Sequence, residues 1–296
     1  LKNYFTDAAA LDIPWIESPF FNSLIKHTDH SSEQKSFIKD YVEKGYVIID
    51  LNVSDDQIKS IRHDLDLYIQ QNKSNRQKNY EYNDGPRPFQ LWKQSQAIKD
   101  LAVNNQILEK LELLYGRKAF PFSTINFLKG SEQPMHSDAI HFHTVPNLWM
   151  VGVWVALEDV DENNGTLKVI PGSNKWGTWE YPSLNLPHPD DITDGEVVLY
   201  REYENFIRHL IVEKNVEPHV LNIKKGQAVI WASNTLHGSI KIVDNSRTRY
   251  AQAIHYFFEG CEKYYHPMFS KTRLGLYAKK WCDENNNILN YKDDND

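Results

Sequence analysis

Seven apolar runs of strand length fill the stretch from residue 120 to residue 258, and no other feature restricts the fold as much. They span 120–128, 149–157, 166–170, 196–200, 219–223, 227–232 and 249–258. Turn residues stand between them. Asn163-Asn164-Gly165, Pro171-Gly172-Ser173 and Lys224-Lys225-Gly226 each offer the positive or fixed φ that a tight connection needs. Many short strands joined this way predict a double-sheet barrel or sandwich.

Ahead of this β-rich part the periodicity is helical. Ser31 and Gln34 stand at capping-box spacing, and Phe37, Ile38, Tyr41 and Val42 recur at helical intervals up to Gly45. Tyr46 to Leu51 is a short β-branched run. It is followed by a predicted cap at Ser54 and a helix whose apolar stripe is Ile58, Ile61, Leu65 and Ile69. Ile98 to Tyr115 returns to helical spacing and stops at Gly116. Between these helices, 70–88 is polar, carries Gly85 and two prolines, and is too long for an ordinary connector, which marks it as a candidate lid.

Composition narrows the class of partner. With 296 residues and 41% hydrophobic content the chain can bury a substantial core, and no apolar run is long enough for a membrane-spanning helix. The formal net charge is −7, without a block of Lys and Arg, so nucleic acid and anionic lipid are poor partners. Only Cys261 and Cys282 occur, which excludes a disulfide scaffold. The first thirty residues lack a basic start followed by an apolar core, so a reducing cytoplasm is the expected location.

His-x-Asp supplies two ligands of a facial iron site, yet with 12 His and 22 Asp in the chain, chance alone produces a match of this kind. Three occur: His27/Asp29, His136/Asp138 and His188/Asp190. The first precedes a helix cap and the third lies among prolines. The second follows a predicted strand, and alternation along an extended segment turns His136 and Asp138 to one face. A third ligand should come from a distant strand. His237 fits, at the end of the run begun by Gln227, although a lone histidine there is as readily a satisfied core or surface residue. Two imidazoles and a carboxylate leave one side of an octahedral ion open, as in non-heme Fe(II) oxygenases. Twelve residues further on, Arg249 opens an alternating strand expected to pair beside the His237 strand. A guanidinium there could clamp the distal carboxylate of a chelating dicarboxylate. Arg247 shares its parity, so alternation does not choose between them.

The ordered set Gln133-Pro-Met-His136-Ser-Asp138, Val153-Trp154-Val-Ala-Leu-Glu158, Asn163-Asn-Gly165-Thr-Leu, Ile170-Pro-Gly-Ser173, Leu236-His237-Gly-Ser239 and Arg249-Tyr-Ala251 resembles the phytanoyl-CoA dioxygenase family, over about residues 35 to 260. The resemblance implies a mainly β fold with flanking α: a double-stranded β-helix, the cupin-like jelly roll, with N-terminal helices. It implies one oxygenase domain over 1–296, with a helical part at about 30–116, the jelly roll at about 120–260 and a C-terminal extension at 261–296. It implies Fe(II) held by His136, Asp138 and His237, 2-oxoglutarate held through its C5 carboxylate by Arg249, and O2 as co-substrate. Trp154, Ser239 and, by a looser alignment, Asn126 match positions near the keto acid. One departure is Asn174, where many relatives carry His. The implied reaction oxidises 2-oxoglutarate to succinate and CO2 and hydroxylates a small polar or sugar-bearing molecule. Halogenating relatives lack the carboxylate that Asp138 supplies here, which favours hydroxylation. The competing reading is a cupin-like barrel that binds a ligand without oxidising it.

For substrate, His141 and His143 share the parity of His136 and face either the cavity or a polar rim. Gln90 and Trp92 either close over the substrate or pin the loop down. Trp154 lies in a run that would be core in any fold. Residues 199–212 read as a helix inserted between strands, offering Arg201 to an anionic group or to solvent. The extension after Gly260 either covers the barrel or makes a homodimer contact. No basic patch suits a CoA group, and the last five residues read as a solvated tail.

Overall fold

A computed structural model describes residues 12–72, 87–187 and 189–265 and Asn285. Most of the candidate lid, the extension beyond 265 with its tail apart from Asn285, and His188 lie outside these residues. A short helix α1 (Phe21–Leu24) precedes α2 (Ser32–Lys44). The predicted capping box forms, with Ser31 Oγ accepting from Gln34 N at 3.2 Å and Gln34 Oε1 from Ser31 N at 2.9 Å. Gly45 stops α2 in the left-handed region at φ 77°, a conformation that costs most other residues dearly. Strand β1 (Tyr46–Asp50) leads to α3 (Asp55–Gln71), capped by Ser54 as expected. The predicted 98–115 helix is two: α4 (Gln96–Ala102) and α5 (Asn105–Tyr115). Asn104 breaks it, because its side-chain oxygen caps the backbone N–H groups of Gln106 and Ile107.

The β part comprises β2 (Ala119–Phe127), β3 (His143–Val145), β4 (Met150–Ala156), β5 (Leu167–Val169), helix α6 (Gly195–Lys214), β6 (His219–Val220), β7 (Gln227–Ala232), β8 (His237–Ser239), β9 (Ala251–Phe258) and β10 (Lys263–Tyr265). Five strands form an antiparallel sheet in the order β1-β7-β4-β9-β2, three form a second sheet β6-β5-β8, and β10 pairs with β3. This is the expected jelly roll, with α2 to α5 against one face of the large sheet and α6 apart from them.

Burial shows how the layers meet. Val151, Val153 and Val155 of β4 and Ala228 and Ile230 of β7 pack outward with Ile38, Tyr41, Ile58 and Ile61 of the helices. The alternate residues Trp154, Ala156, Val229 and Trp231 pack inward with Leu167 and Val169 of the small sheet. The middle sheet is therefore covered on both faces, which is why β4 is apolar at every position. A third cluster joins Leu199, Tyr200, Tyr203 and Ile207 of α6 to Met135, Ile140 and Leu236.

Three expectations fail here. The run 196–200 is the first part of α6, since a short apolar run reads equally as strand or buried helix, and Leu199, Tyr203 and Ile207 follow the helical period. Of 219–223 only His219–Val220 is strand, with Ile223 in an isolated bridge to Val160. The strand after Arg249 pairs with β2 and β4, while His237 opens β8, which pairs with β5. Sheet order is a long-range choice that adjacency in sequence does not reveal.

Candidate metal centre and its cavity

His136 and His237 are bridged to each other by mutual backbone hydrogen bonds of 2.9 Å, which brings two segments a hundred residues apart into register. Asp138 begins a single 3-10 turn two residues on. One ligand atom from each of His136, Asp138 and His237 falls within a 4.8 Å group, the one such cluster found among the described residues. His27 is exposed and bonds to Ser23 O, so the first His-x-Asp pair stays out of any such cluster.

The imidazole tautomers are fixed locally. Nδ1 of His136 lies 2.9 Å from Pro134 O and Nδ1 of His237 3.0 Å from Thr235 O, and a carbonyl can only accept, so each Nδ1 carries the proton. In the neutral ring each Nε2 is then the lone-pair donor, and the two stand 4.0 and 3.7 Å from Asp138 Oδ1. Burial, with the neighbouring His237, pulls the His136 imidazole down to about 3, so it is neutral. Burial alone would raise the Asp138 carboxyl. The surrounding imidazoles, His237 foremost, and a hydrogen bond from Trp231 outweigh it and bring the group to about 2. Two lone pairs and an anionic oxygen converging on one point repel each other unless a cation lies between them. The donor set therefore fits a divalent metal that takes imidazole and carboxylate ligands.

The cluster opens into a cavity of about 200 Å³ between the two sheets, lined on its far side by Ile125, Phe127, Trp154, Leu167 and Arg249. Arg249 is 1% exposed. Its Nη1 donates to Gly165 O at 2.9 Å, its Nε has no partner, and Phe127 and Trp154 lie 5.2 and 5.4 Å from its guanidinium carbon. No carboxylate among the described residues forms an ion pair with it. Glu158, which influences it, is bonded to Thr248 Oγ1 and Tyr250 N. Burial and then the Arg87 cation push Arg249 down to about 9, still charged at neutral pH. A buried, unpaired guanidinium with a spare N–H is expensive, and a ligand carboxylate would relieve it. Arg247 pairs instead with Asp161 at the surface, at 2.7 and 2.9 Å.

The remaining predicted residues divide. Trp154 and His141 line the cavity, the latter with Nε2 3.3 Å from Tyr200 OH. Ser239 is buried just behind it, its hydroxyl 2.8 Å from that of Ser131, a lining residue. Asn126 lies on the opposite face of β2 from Ile125 and Phe127, with Nδ2 3.4 Å from Gln252. His143 sits in β3 opposite Tyr265 and lines no part of the cavity. Gln90 bonds to Phe122 O and Trp92 is buried in the helical core, and neither lines the cavity. Arg201 is exposed on α6, away from the cavity wall.

Sequence reasoning passed over Trp231 and His255, quoted Gln133 only as part of a motif, and placed Tyr200 and Tyr203 on the faces of the inserted helix without a role. Gln133 Nε2 lies 3.2 Å from His136 Nε2 and 3.3 Å from Tyr200 OH. Tyr203 OH accepts from Ser137 N at 3.1 Å and meets Ser137 Oγ at 3.0 Å, tying α6 to the segment between the two ligands. The helical spacing of Tyr200, Tyr203 and Ile207 was the available signal that these tyrosines face inward.

Such a sandwich, with two imidazoles and a carboxylate at its mouth and a buried guanidinium within, defines a non-heme metal oxygenase type of site. The phytanoyl-CoA dioxygenase (PhyH) family model matches residues 41–248, and the chain belongs to that family. The peroxisomal phytanoyl-CoA dioxygenase of Rattus norvegicus is 26% identical over 256 residues, covering 78% of this chain and 70% of that protein. That of Mus musculus is 26% identical over 227 residues, 70% of this chain and 62% of its own length. Among solved structures, the non-heme alpha ketoglutarate dependent carbocyclase SnoK from nogalamycin biosynthesis superposes with a TM-score of 0.60 at 17% identity, over 79% of this chain and 86% of SnoK. EctD from S. alaskensis with 2-oxoglutarate and 5-hydroxyectoine gives 0.59 at 17% identity, over 90% of both chains. At these identities the likeness to the solved structures is one of fold.

Proposed function

We propose that this chain is an Fe(II)- and 2-oxoglutarate-dependent dioxygenase that hydroxylates a small polar or sugar-bearing molecule. One observation carries the reading: the imidazole-carboxylate-imidazole cluster and the unpaired buried Arg249 open into the same cavity. The names of SnoK and EctD, which state a keto-acid dependence or carry 2-oxoglutarate, support the same cofactors. In this reading His136, Asp138 and His237 hold the iron, and the Arg249 guanidinium binds the distal carboxylate of the keto acid. Iron, keto acid and O2 together would supply the oxidising power, with 2-oxoglutarate leaving as succinate and CO2.

The chain's own residues bind, orient and exclude water. Pro134 O and Thr235 O keep the two imidazoles in the ligating tautomer. Gly165 O takes one Arg249 N–H and so aims the rest of the fork into the cavity. Phe127, Trp154 and Leu167 keep that end dry, which strengthens the ion pair made there. Gln133, His141 and Tyr200 offer hydrogen bonds to substrate on the α6 side. Among the described lining residues Arg249 is the one Lys or Arg side chain.

Anaerobic titration of the metal-free protein with Fe(II) and then 2-oxoglutarate tests the proposal, through the visible charge-transfer band of the chelate. The band should appear in the wild type, vanish in His237→Ala and need far more keto acid in Arg249→Ala. A wild type that binds neither component overturns the oxygenase reading in favour of a ligand-binding barrel.

A further inference from the structure

Trp231, Gly152 and His255 stand in one row across three neighbouring strands, since Gly152 of β4 pairs with Trp231 of β7 on one side and with His255 of β9 on the other. Directly paired residues project to the same face of a sheet, here the cavity face. The middle member has no side chain, so the row contains a notch one side chain wide. Asp138 Oδ2 sits in it: a Cβ on Gly152 would come within 2.8 Å of that oxygen and would collide with Trp231 Nε1. From one flank Trp231 Nε1 donates to Oδ2 at 2.7 Å. From the other, His255 Nε2 stands 3.7 Å from the same oxygen, too far for a hydrogen bond. The other oxygen, Oδ1, is the one that faces His136 and His237.

Resting on the metal reading above, we propose that Trp231 and Gly152 are positioning residues that make Asp138 a one-oxygen ligand. Indole N–H only donates, and a buried one needs an acceptor, so it sorts the two carboxylate oxygens: Oδ2 into the notch, Oδ1 toward the metal. A carboxylate free of this restraint could chelate through both oxygens. That would occupy a coordination position which a keto acid and O2 require. Trp231 also packs on the His237 ring, with centroids 4.4 Å apart, so one side chain orients two ligands.

The test uses metal alone on the full chain. Calorimetric titration with Mn(II) should show ten- to hundredfold weaker binding in Trp231→Phe, the range typical for loss of a partner that orients a ligand. Its Co(II) visible spectrum should depart from that of the wild type, and Gly152→Ala, which fills the notch, should shift it the same way. Wild-type affinity and an unchanged Co(II) spectrum in Trp231→Phe overturn the proposal. Infrared difference spectra of 13C-aspartate-labelled wild type, with and without Mn(II), decide the case even where a variant does not fold. A wide splitting between the two carboxylate stretches is expected for one-oxygen binding, and a narrow one overturns the notch model. A wild type that takes up no metal at all fails the metal reading itself, a separate result.

Discussion

Arg249 and Arg247 stand two residues apart with the same parity, yet they meet opposite environments. Arg247 lies in the turn before β9 and its side chain reaches Asp161 at the surface, where an ion pair contributes little. Arg249 enters the space between the sheets and finds one carbonyl. Removing a guanidinium that neutralises a buried ligand carboxylate typically costs at least about 2 kcal/mol, roughly a thirtyfold rise in Kd. Arg249→Ala should therefore weaken 2-oxoglutarate binding by that factor or more, whereas Arg247→Ala should leave it unchanged, as read by calorimetry on the metal-loaded protein. Equal losses in both would mean that the guanidinium in the cavity does not meet the keto acid. The histidine-aspartate pair was legible at this scale because both ligands sit in one short extended segment. Asn126 was not, since the loop between β2 and His136 hides which face of the strand it occupies.

Helix α6 is tied to the segment that carries His136 and Asp138 through two hydroxyls, that of Tyr200 beside Gln133 and His141 and that of Tyr203 at Ser137. Burial raises the Tyr203 hydroxyl to about 12, so it remains protonated and available at any working pH. Tyr203→Phe would leave the buried Ser137 N–H without its acceptor. A buried group left unsatisfied costs about 1–3 kcal/mol, and thermal or urea unfolding of the variant should show a loss of that size. No change in stability would indicate that the Tyr203 hydroxyl contributes nothing to holding α6 in place. The caps of α2 and α3 were readable because an N-cap is a contact between residues three apart. The start of α6 was not, because Val197 to Tyr200 satisfies both the strand and the helix template until Tyr203 and Ile207 find their partners in the ligand-bearing loops.

For the whole molecule, buried neutral histidines set the response to acid. His143 is 4% exposed and burial lowers it to about 4, against an ordinary value near 6.5. Between those two values the unfolded chain binds the proton and the folded chain does not. Stability therefore rises with pH through this window and falls as pH drops below about 6.5. The full shift corresponds to about 3 kcal/mol, reached near pH 4. The urea midpoint of metal-free protein should decline from pH 7 to pH 4.5, and His143→Phe should flatten part of that decline. Parallel curves for the two proteins would show that the charged ring is accommodated without cost. Among the described residues no helix is long and apolar enough to cross a membrane.

By itself the sequence determined what contiguous residues can encode. Alternation and turn residues specified a two-sheet β architecture, capping pairs specified the ends of α2 and α3, and the ordered motifs identified the family and singled out His136, Asp138 and His237 as the candidate ligands. Tertiary structure alone decided which strands became neighbours and which face of β2 Asn126 took. It also set Gly152 between Trp231 and His255, partners about eighty and about a hundred residues further along the chain. The physical reason is the same in each case. A local pattern fixes the period of burial along one segment, whereas the partner that a buried face meets is chosen by the packing of the entire chain.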